Sequence, residues 1–185
     1  MQISYLELEG AFVLTPRRFG DERGFFSEVY SAPKLREAGF DELFVQDNHA
    51  YSKDKGVIRG LHFQIPPQAQ GKLVRVTRGA ILDVLVDIRC GSPTFGRHVT
   101  VDISAEAWNQ VYVPAGFAHG YCTLMPETEV LYKVTGPYSP TGERGLAFDD
   151  PDLGIDWRLD ADTAVLSDKD RAHPRLKDLP EYFSY

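Results

Sequence analysis

Cysteine is nearly missing from this chain. Its two thiols, Cys90 and Cys122, form no CxxC pair and no framework of bridges. That excludes a disulfide-stapled scaffold and fits a reducing compartment. No apolar run approaches the roughly 18 residues of a membrane-spanning helix. The opening MQISYLELEG has no basic stretch leading into an apolar one, so no signal peptide is expected. Positive charge is in deficit as well: 20 Lys+Arg stand against 27 Asp+Glu, a formal net charge of −7. A nucleic-acid polymer is therefore excluded as partner, because such binding needs surplus cations. Internal repeats, low-complexity tracts and linkers are absent too. What remains is 185 residues, enough for one domain (1–185) whose core needs no staples. The expectation is a soluble, cytoplasmic protein with no membrane association.

The charge that is there is unevenly spread. Lys53–Arg78 holds six cations (Lys53, Lys55, Arg59, Lys72, Arg75, Arg78) and one anion, a local sum of +5. Thr141–Asp170 holds nine anions and three cations, a local sum of −6. Charge alone leaves two readings of the basic segment: a solvated face, or a wall that attracts an anionic small molecule through its local field.

Period two dominates the hydrophobic pattern. From Ala80 to Ile88 every even position is apolar, while the odd positions include Asp83 and Asp87, which predicts a half-buried strand. Val99, Val101 and Ile103 alternate with polar residues in the same way. Val57–Ile65, Lys72–Arg78, Val111–Val113 and Thr128–Val134 are rich in β-branched or aromatic residues. Gly79, Gly91-Ser92-Pro93, Pro114-Ala115-Gly116 and Thr135-Gly136-Pro137 supply the turns between them. One short helix is expected after Tyr30, with Ser31 as cap, Pro33 in its first turn and Gly39 at its end. Asp149–Asp170 reads as a polar loop with a helical turn. A strand count near ten with short peripheral helices predicts an all-β fold, a double-sheet cupin-type jelly-roll barrel. Such small barrels hold one ligand in their mouth.

Five histidines are candidates for chemistry: His49, His62, His98, His119 and His173. A lone strand histidine is more often structural than functional. His62, however, lies in Val57-Ile58-Arg59-Gly60-Leu61-His62-Phe63-Gln64, where simple alternation puts Ile58, Gly60, His62 and Gln64 on one face and Leu61, Phe63 and Ile65 on the other. A metal site fits poorly. Metal-binding cupins carry two histidines one residue apart, then a glutamate, then a later histidine. Here Gln64 replaces the second histidine, and no acidic residue follows between Phe63 and Arg78. His62 and His119 alone are too few ligands. Acid/base work is the alternative. It needs a partner for His62, and the carboxylates of Ser167-Asp168-Lys169-Asp170 are candidates. Lys72 and Arg59 offer positive charge, and Tyr132 offers a proton from another strand.

Several runs in order resemble one family. Arg59-Gly60-Leu61-His62-Phe63-Gln64 is similar to the R-G-(L/M)-H-(F/Y)-Q motif of the dTDP-4-dehydrorhamnose 3,5-epimerases. Arg23-Gly24-Phe25-Phe26, Gln46-Asp47-Asn48, Lys72, Gly91–Gly96, Pro114–Tyr121, Tyr132, Tyr138, Glu143 and Ser167-x-Lys169-Asp170 fall in register with the same family. The resemblance runs from about Leu8 to Pro174 and implies a cupin fold, a homodimer, and no metal or organic cofactor. The implied substrate is a dTDP-linked 4-keto-6-deoxyhexose, inverted at carbons 3 and 5.

The resemblance also implies residue roles. His62 matches the general base, Asp170 its orienting carboxylate, Lys72 the cation beside the C4 oxygen and Tyr132 the acid on the opposite face. Arg59 and Arg23 match diphosphate contacts, with the Arg23 region expected to reach the neighbouring subunit. Glu28, Gln46, Asn48, His119, Glu143 and Lys169 match further substrate contacts, and Tyr138 matches an aromatic that stacks on thymine. The segment Lys53–Arg78 then reads as an anion-binding wall. Three other readings compete: an epimerase of one carbon only, a metal-dependent cupin enzyme, and a non-catalytic sugar-nucleotide-binding cupin.

Overall fold

The computed structural model describes the backbone of residues 1–185 and every side chain except that of Ala161. In chain order the strands are β1 (Gln2–Tyr5), β2 (Phe12–Thr15), β3 (Arg18–Asp21), β4 (Gly24–Ser27), β5 (Gln46–Ser52), β6 (Ile58–Gln64), β7 (Lys72–Arg78), β8 (Ala80–Asp87), β9 (His98–Ser104), β10 (Gln110–Val113), β11 (Phe117–Thr123), β12 (Thr128–Val134) and β13 (Glu143–Gly145). Two short α-helices, α1 (Ala32–Glu37) and α2 (Asp168–Arg171), and two 3-10 turns, Ala161–Thr163 and Leu176–Asp178, accompany them. A six-stranded antiparallel sheet runs β1-β2-β10-β7-β12-β5, and a five-stranded one runs β13-β6-β11-β8-β9. The expected jelly roll is thus present as two sheets, with β3 and β4 forming a separate ribbon.

The core has layers. Val74, Val76, Val111 and Val130 of the first sheet meet Ile81, Leu85, Ile103 and Phe117 of the second. Outside the first sheet, Leu35 of α1 packs with Phe12, Leu14, Leu73 and Tyr112. Outside the second, the segment expected to be a polar loop is a cover: its Leu153 and Trp157 are buried with Ile58, Leu61, Leu82, Val84 and Val86.

Beneath that cover β8 departs from its sequence reading. β8 is not half-buried but buried on both faces, the even side chains beneath the cover and the odd ones between the sheets. Its Asp83 and Asp87 are tolerated inside because each is paired, Asp83 with His119 and Asp87 with Arg89, Ser92 and Thr94. Helix α1 starts after Ser31 and ends before Gly39, which has φ +89°, as expected. The Ser31 side chain, however, makes no capping bond.

The second correction concerns β6. His62 pairs with His119 and Arg59 pairs with Tyr121, so three residues of β6 span two of β11. This is a bulge at Gly60–Leu61, and it reverses the alternation. Ile58 therefore packs in the same core as Leu61 and Phe63, whereas Arg59 and His62 face one cavity. Gly60 permits it: φ is +121°, and a Cβ there would lie 2.6 Å from Gly120 Cα and 2.7 Å from the His119 carbonyl oxygen.

Candidate active site

The cavity between the sheets has a volume of about 540 Å³ and opens to solvent. The second sheet contributes Arg59, His62, His119, Tyr121 and Glu143, and the first contributes Lys72 and Tyr132. Lys169 and Asp170 close the rim. Eight of the thirteen residues expected from sequence meet here.

Asp170 is placed by its helix. Ser167 stands at the N-cap of α2, and its Oγ accepts the Asp170 backbone N–H at 3.2 Å. The Asp170 carboxylate is thereby aimed at His62, 108 residues away in sequence, with Oδ1 2.6 Å from His62 Nε2. Burial alone would raise the Asp170 pKa, but the neighbouring His173 and His62 imidazoles hold it well below the usual carboxylate range. The ionised carboxylate accepts the Nε2 proton of His62, which leaves Nδ1 unprotonated and without a protein partner among the described residues. Burial lowers the His62 pKa and Asp170 opposes that effect. A neutral imidazole oriented in this way can take a proton at neutral pH.

Lys72 Nζ donates to the His62 carbonyl oxygen at 3.2 Å. Burial pushes its pKa down to about 8, against the pull of Asp83 and Glu143, so it stays mostly charged at neutral pH. Tyr132 is held above its ordinary value by burial, with Arg59 opposing. It keeps its proton and can give it up across the cavity from His62. Arg59 donates to Ser52 Oγ at 3.2 Å and to the Tyr51 carbonyl at 3.0 Å. Among the described residues neither Arg59 nor Lys72 forms an ion pair, so both cations are left to meet an anion in the cavity. Only these two of the six cations in Lys53–Arg78 line it. Arg75 points to the opposite side of its sheet and Arg78 pairs with Glu127. The expected anion-binding wall is narrower than the charge pattern implied.

His119 is buried, with Nε2 2.8 Å from Asp83 Oδ2 and 3.0 Å from Oδ1. Glu143 bridges Lys169 (2.5 Å) and the Tyr138 hydroxyl (2.9 Å). Tyr138 itself is exposed at the rim. Gln46 and Asn48 lie on β5 beside Tyr132, joined to each other by a 2.7 Å bond. They share a face with cavity-lining Ala50 but do not line the cavity. Arg23 and Glu28 are not brought to the site. Arg23 sits at the ribbon tip, paired with Asp21, and its side chain is 85% exposed. Glu28 pairs with Lys34 at 2.6 Å.

Asp83, Tyr121 and His173 were not singled out as site residues from sequence. Asp83 was hidden inside an alternating strand, while Tyr121 carried a signal in the Pro114–Tyr121 run. His62, Asp170 and His173 also bring three ligand-type atoms within 4.8 Å of one another. Two ligands on one tetrahedral zinc would sit about 3.3 Å apart. The 2.6 Å between His62 and Asp170 is instead a hydrogen bond, and the trio does not fit a ligand set.

A sequence profile described as dTDP-4-dehydrorhamnose 3,5-epimerase matches residues 5–178. The dTDP-4-dehydrorhamnose 3,5-epimerase of Sinorhizobium fredii is 50% identical over 185 residues, covering 100% of this chain and 94% of the relative. The dTDP-6-deoxy-D-glucose-3,5-epimerase of Legionella pneumophila, solved with dTDP-4-keto-L-rhamnose, superposes with a TM-score of 0.94 at 42% identity, covering 100% of this chain and 98% of that one. A 3'-monoepimerase from Streptomyces bikiniensis, solved with dTDP-quinovose, gives 0.86 at 37% identity over 93% of this chain and 86% of that one. With a profile match over most of its length and relatives at this identity, the chain belongs to the dTDP-4-dehydrorhamnose 3,5-epimerase family.

Proposed function

We propose that the chain inverts carbons 3 and 5 of dTDP-4-dehydro-6-deoxy-D-glucose, giving dTDP-4-dehydro-L-rhamnose for dTDP-L-rhamnose biosynthesis. The observation that carries this reading is the pairing of His62, oriented by Asp170, with Tyr132 on the facing sheet of one cavity. His62 removes the proton α to the C4 ketone. Lys72 stabilises the enolate oxygen that forms. Tyr132 returns a proton to the other face, and that opposite delivery is what inverts the carbon. Arg59 holds the diphosphate, with His119, Glu143 and Lys169 on the sugar and Tyr138 against the thymine. No metal or organic cofactor takes part.

Residues 1–185 act as one unit in a cytoplasmic homodimer. Support for the dimer comes from the β3–β4 ribbon, which exposes Phe19, Phe25 and Phe26 and rests on the body through Trp108. A two-stranded ribbon with bare aromatics is unstable alone. Against a second copy it would be covered, and Arg23, Glu28, Gln46 and Asn48 would complete the site.

Inversion of carbon 3 alone is the second reading, favoured by the likeness to the Streptomyces bikiniensis monoepimerase. Incubation with the dTDP-4-keto sugar in heavy water decides between them. Deuterium at both C3 and C5 is expected. Label at C3 alone would select the monoepimerase, and label at neither carbon would refute an epimerase.

A further inference from the structure

Three buried side-chain polar atoms have no hydrogen-bond partner among the described residues, and one of them is His173 Nε2. It is not stranded at random. It lies 3.5 Å from Asp170 Oδ1, the oxygen that binds His62 Nε2 at 2.6 Å. The two imidazoles meet edge to face, with centroids 5.4 Å apart and planes at 84°. The seat for the second ring is built: it rests on Gly145 of β13, where any Cβ would collide with the imidazole. Gly145 in turn pairs with His62 across the β6–β13 ladder. One carboxylate oxygen therefore has two imidazole nitrogens beside it, one bonded at 2.6 Å and one waiting at 3.5 Å, and only the first is used by the reaction proposed above.

We propose that His173 is a positioning residue that shares Asp170 Oδ1 with His62 and so weakens the carboxylate's hold on the His62 imidazolium, leaving His62 a readily discharged base. The inference rests on His62 being the base. The physics is competition for one acceptor. A carboxylate that concentrates on one imidazole stabilises its cation most strongly. A second imidazole nitrogen 3.5 Å from the same oxygen and without another partner draws off part of that negative charge when it carries a proton. A base locked as its cation cannot take the next proton, and inverting two carbons requires His62 to unload between rounds. The other groups facing His62 are Lys169 beside Asp170, Lys72 from β7, Glu143 from β13, and His119 from β11 with Asp83 behind it. Arg59 shares its strand. None of these touches Asp170 Oδ1.

Removing His173 should therefore make His62 hold its proton to higher pH. In His173→Leu the acid limb of the kcat/KM profile is expected to move upward. On that limb kcat/KM should fall about tenfold, one pKa unit's worth, and the deficit should shrink as pH rises. His173→Gln, which restores an N–H donor, is expected to recover most of the loss. A folded His173→Leu whose limb does not move, or whose loss is the same at every pH, would overturn the proposal. A nitrogen-15 titration of His62 tests it without turnover. The His62 curve is expected to lie at higher pH in His173→Leu than in wild type, and a His62 curve that does not move would overturn it. Failure of the epimerase reading would show separately, as wild-type protein that washes no deuterium into the sugar.

Discussion

Lys72 offers a test in which stability and activity should move in opposite directions. Burial holds its ammonium near 8, against an ordinary value of 10.5. The folded chain thus keeps a charged group where the charge is disfavoured. A difference of this size corresponds to about 3 kcal/mol withheld from the fold at neutral pH. Replacing Lys72 by Met removes that burden and keeps the length of the side chain. It also deletes the bond to the His62 carbonyl, whose loss costs about 1 kcal/mol. A net gain of about 2 kcal/mol should raise Tm by about 4–8 °C for a chain of this size.

The pH dependence carries the sign. Between about 8 and 10.5 the unfolded chain binds a proton that the folded wild type does not, so wild-type stability rises through that window. The gap between Lys72→Met and wild type should be widest below about 8 and close toward 10.5. Turnover should go the other way. Losing the cation that meets the developing enolate should lower kcat by about 10²–10³. Calorimetry at pH 7 and pH 10, beside a deuterium wash-in assay, measures both. A variant less stable than wild type at pH 7, or a Tm gap that does not narrow with pH, would refute the account of a buried charge kept for catalysis.

Two further outcomes are expected. Gly60→Ala should destabilise the fold by about 3 kcal/mol or more, because its Cβ would meet backbone atoms of His119 and Gly120 that cannot swing aside; an unchanged Tm would dissolve the explanation of the bulge. Tyr132→Phe should cut formation of the inverted product by about 10²–10⁴, while His62 continues to exchange the α-proton with solvent on its own face. Equal loss of exchange and inversion would take Tyr132 out of the role of acid.

Much of this architecture is legible in the amino-acid sequence. β7 and β12 fall on the residues that β-branched enrichment marked, and β6 and β8 differ from their expected spans only at the ends, because side-chain pattern and pairing agree there. Strand β11 was not marked. Phe-Ala-His-Gly-Tyr-Cys-Thr is buried on both faces, so it shows no alternation. The polar β5, Gln-Asp-Asn-His-Ala-Tyr-Ser, was invisible for the opposite reason. The faces of β6 were misread because a bulge is a property of two paired strands and leaves only a glycine in one of them. At the site, motif register found His62, Lys72, Tyr132 and Asp170, yet nothing local joins Asp170 to His62 across 108 residues. His173 stands among the five histidines with no role of its own in the sequence, because its importance lies in where the chain returns, beside Gly145.

The two sides of the cavity belong to different sheets, and this gives the hydrophobic core a second task. His62 is fixed to one sheet and Tyr132 to the other, while Val74, Val76, Ile81, Leu85 and Phe117 set how far apart those sheets lie. Packed sheets sit about 10 Å apart, and a sugar ring must be reachable from both walls at once. The spacing between the sheets is therefore a stereochemical gauge. Trimming an apolar side chain deep in the sandwich would alter the reach between proton acceptor and proton donor without touching either, and would show up as proton exchange uncoupled from inversion.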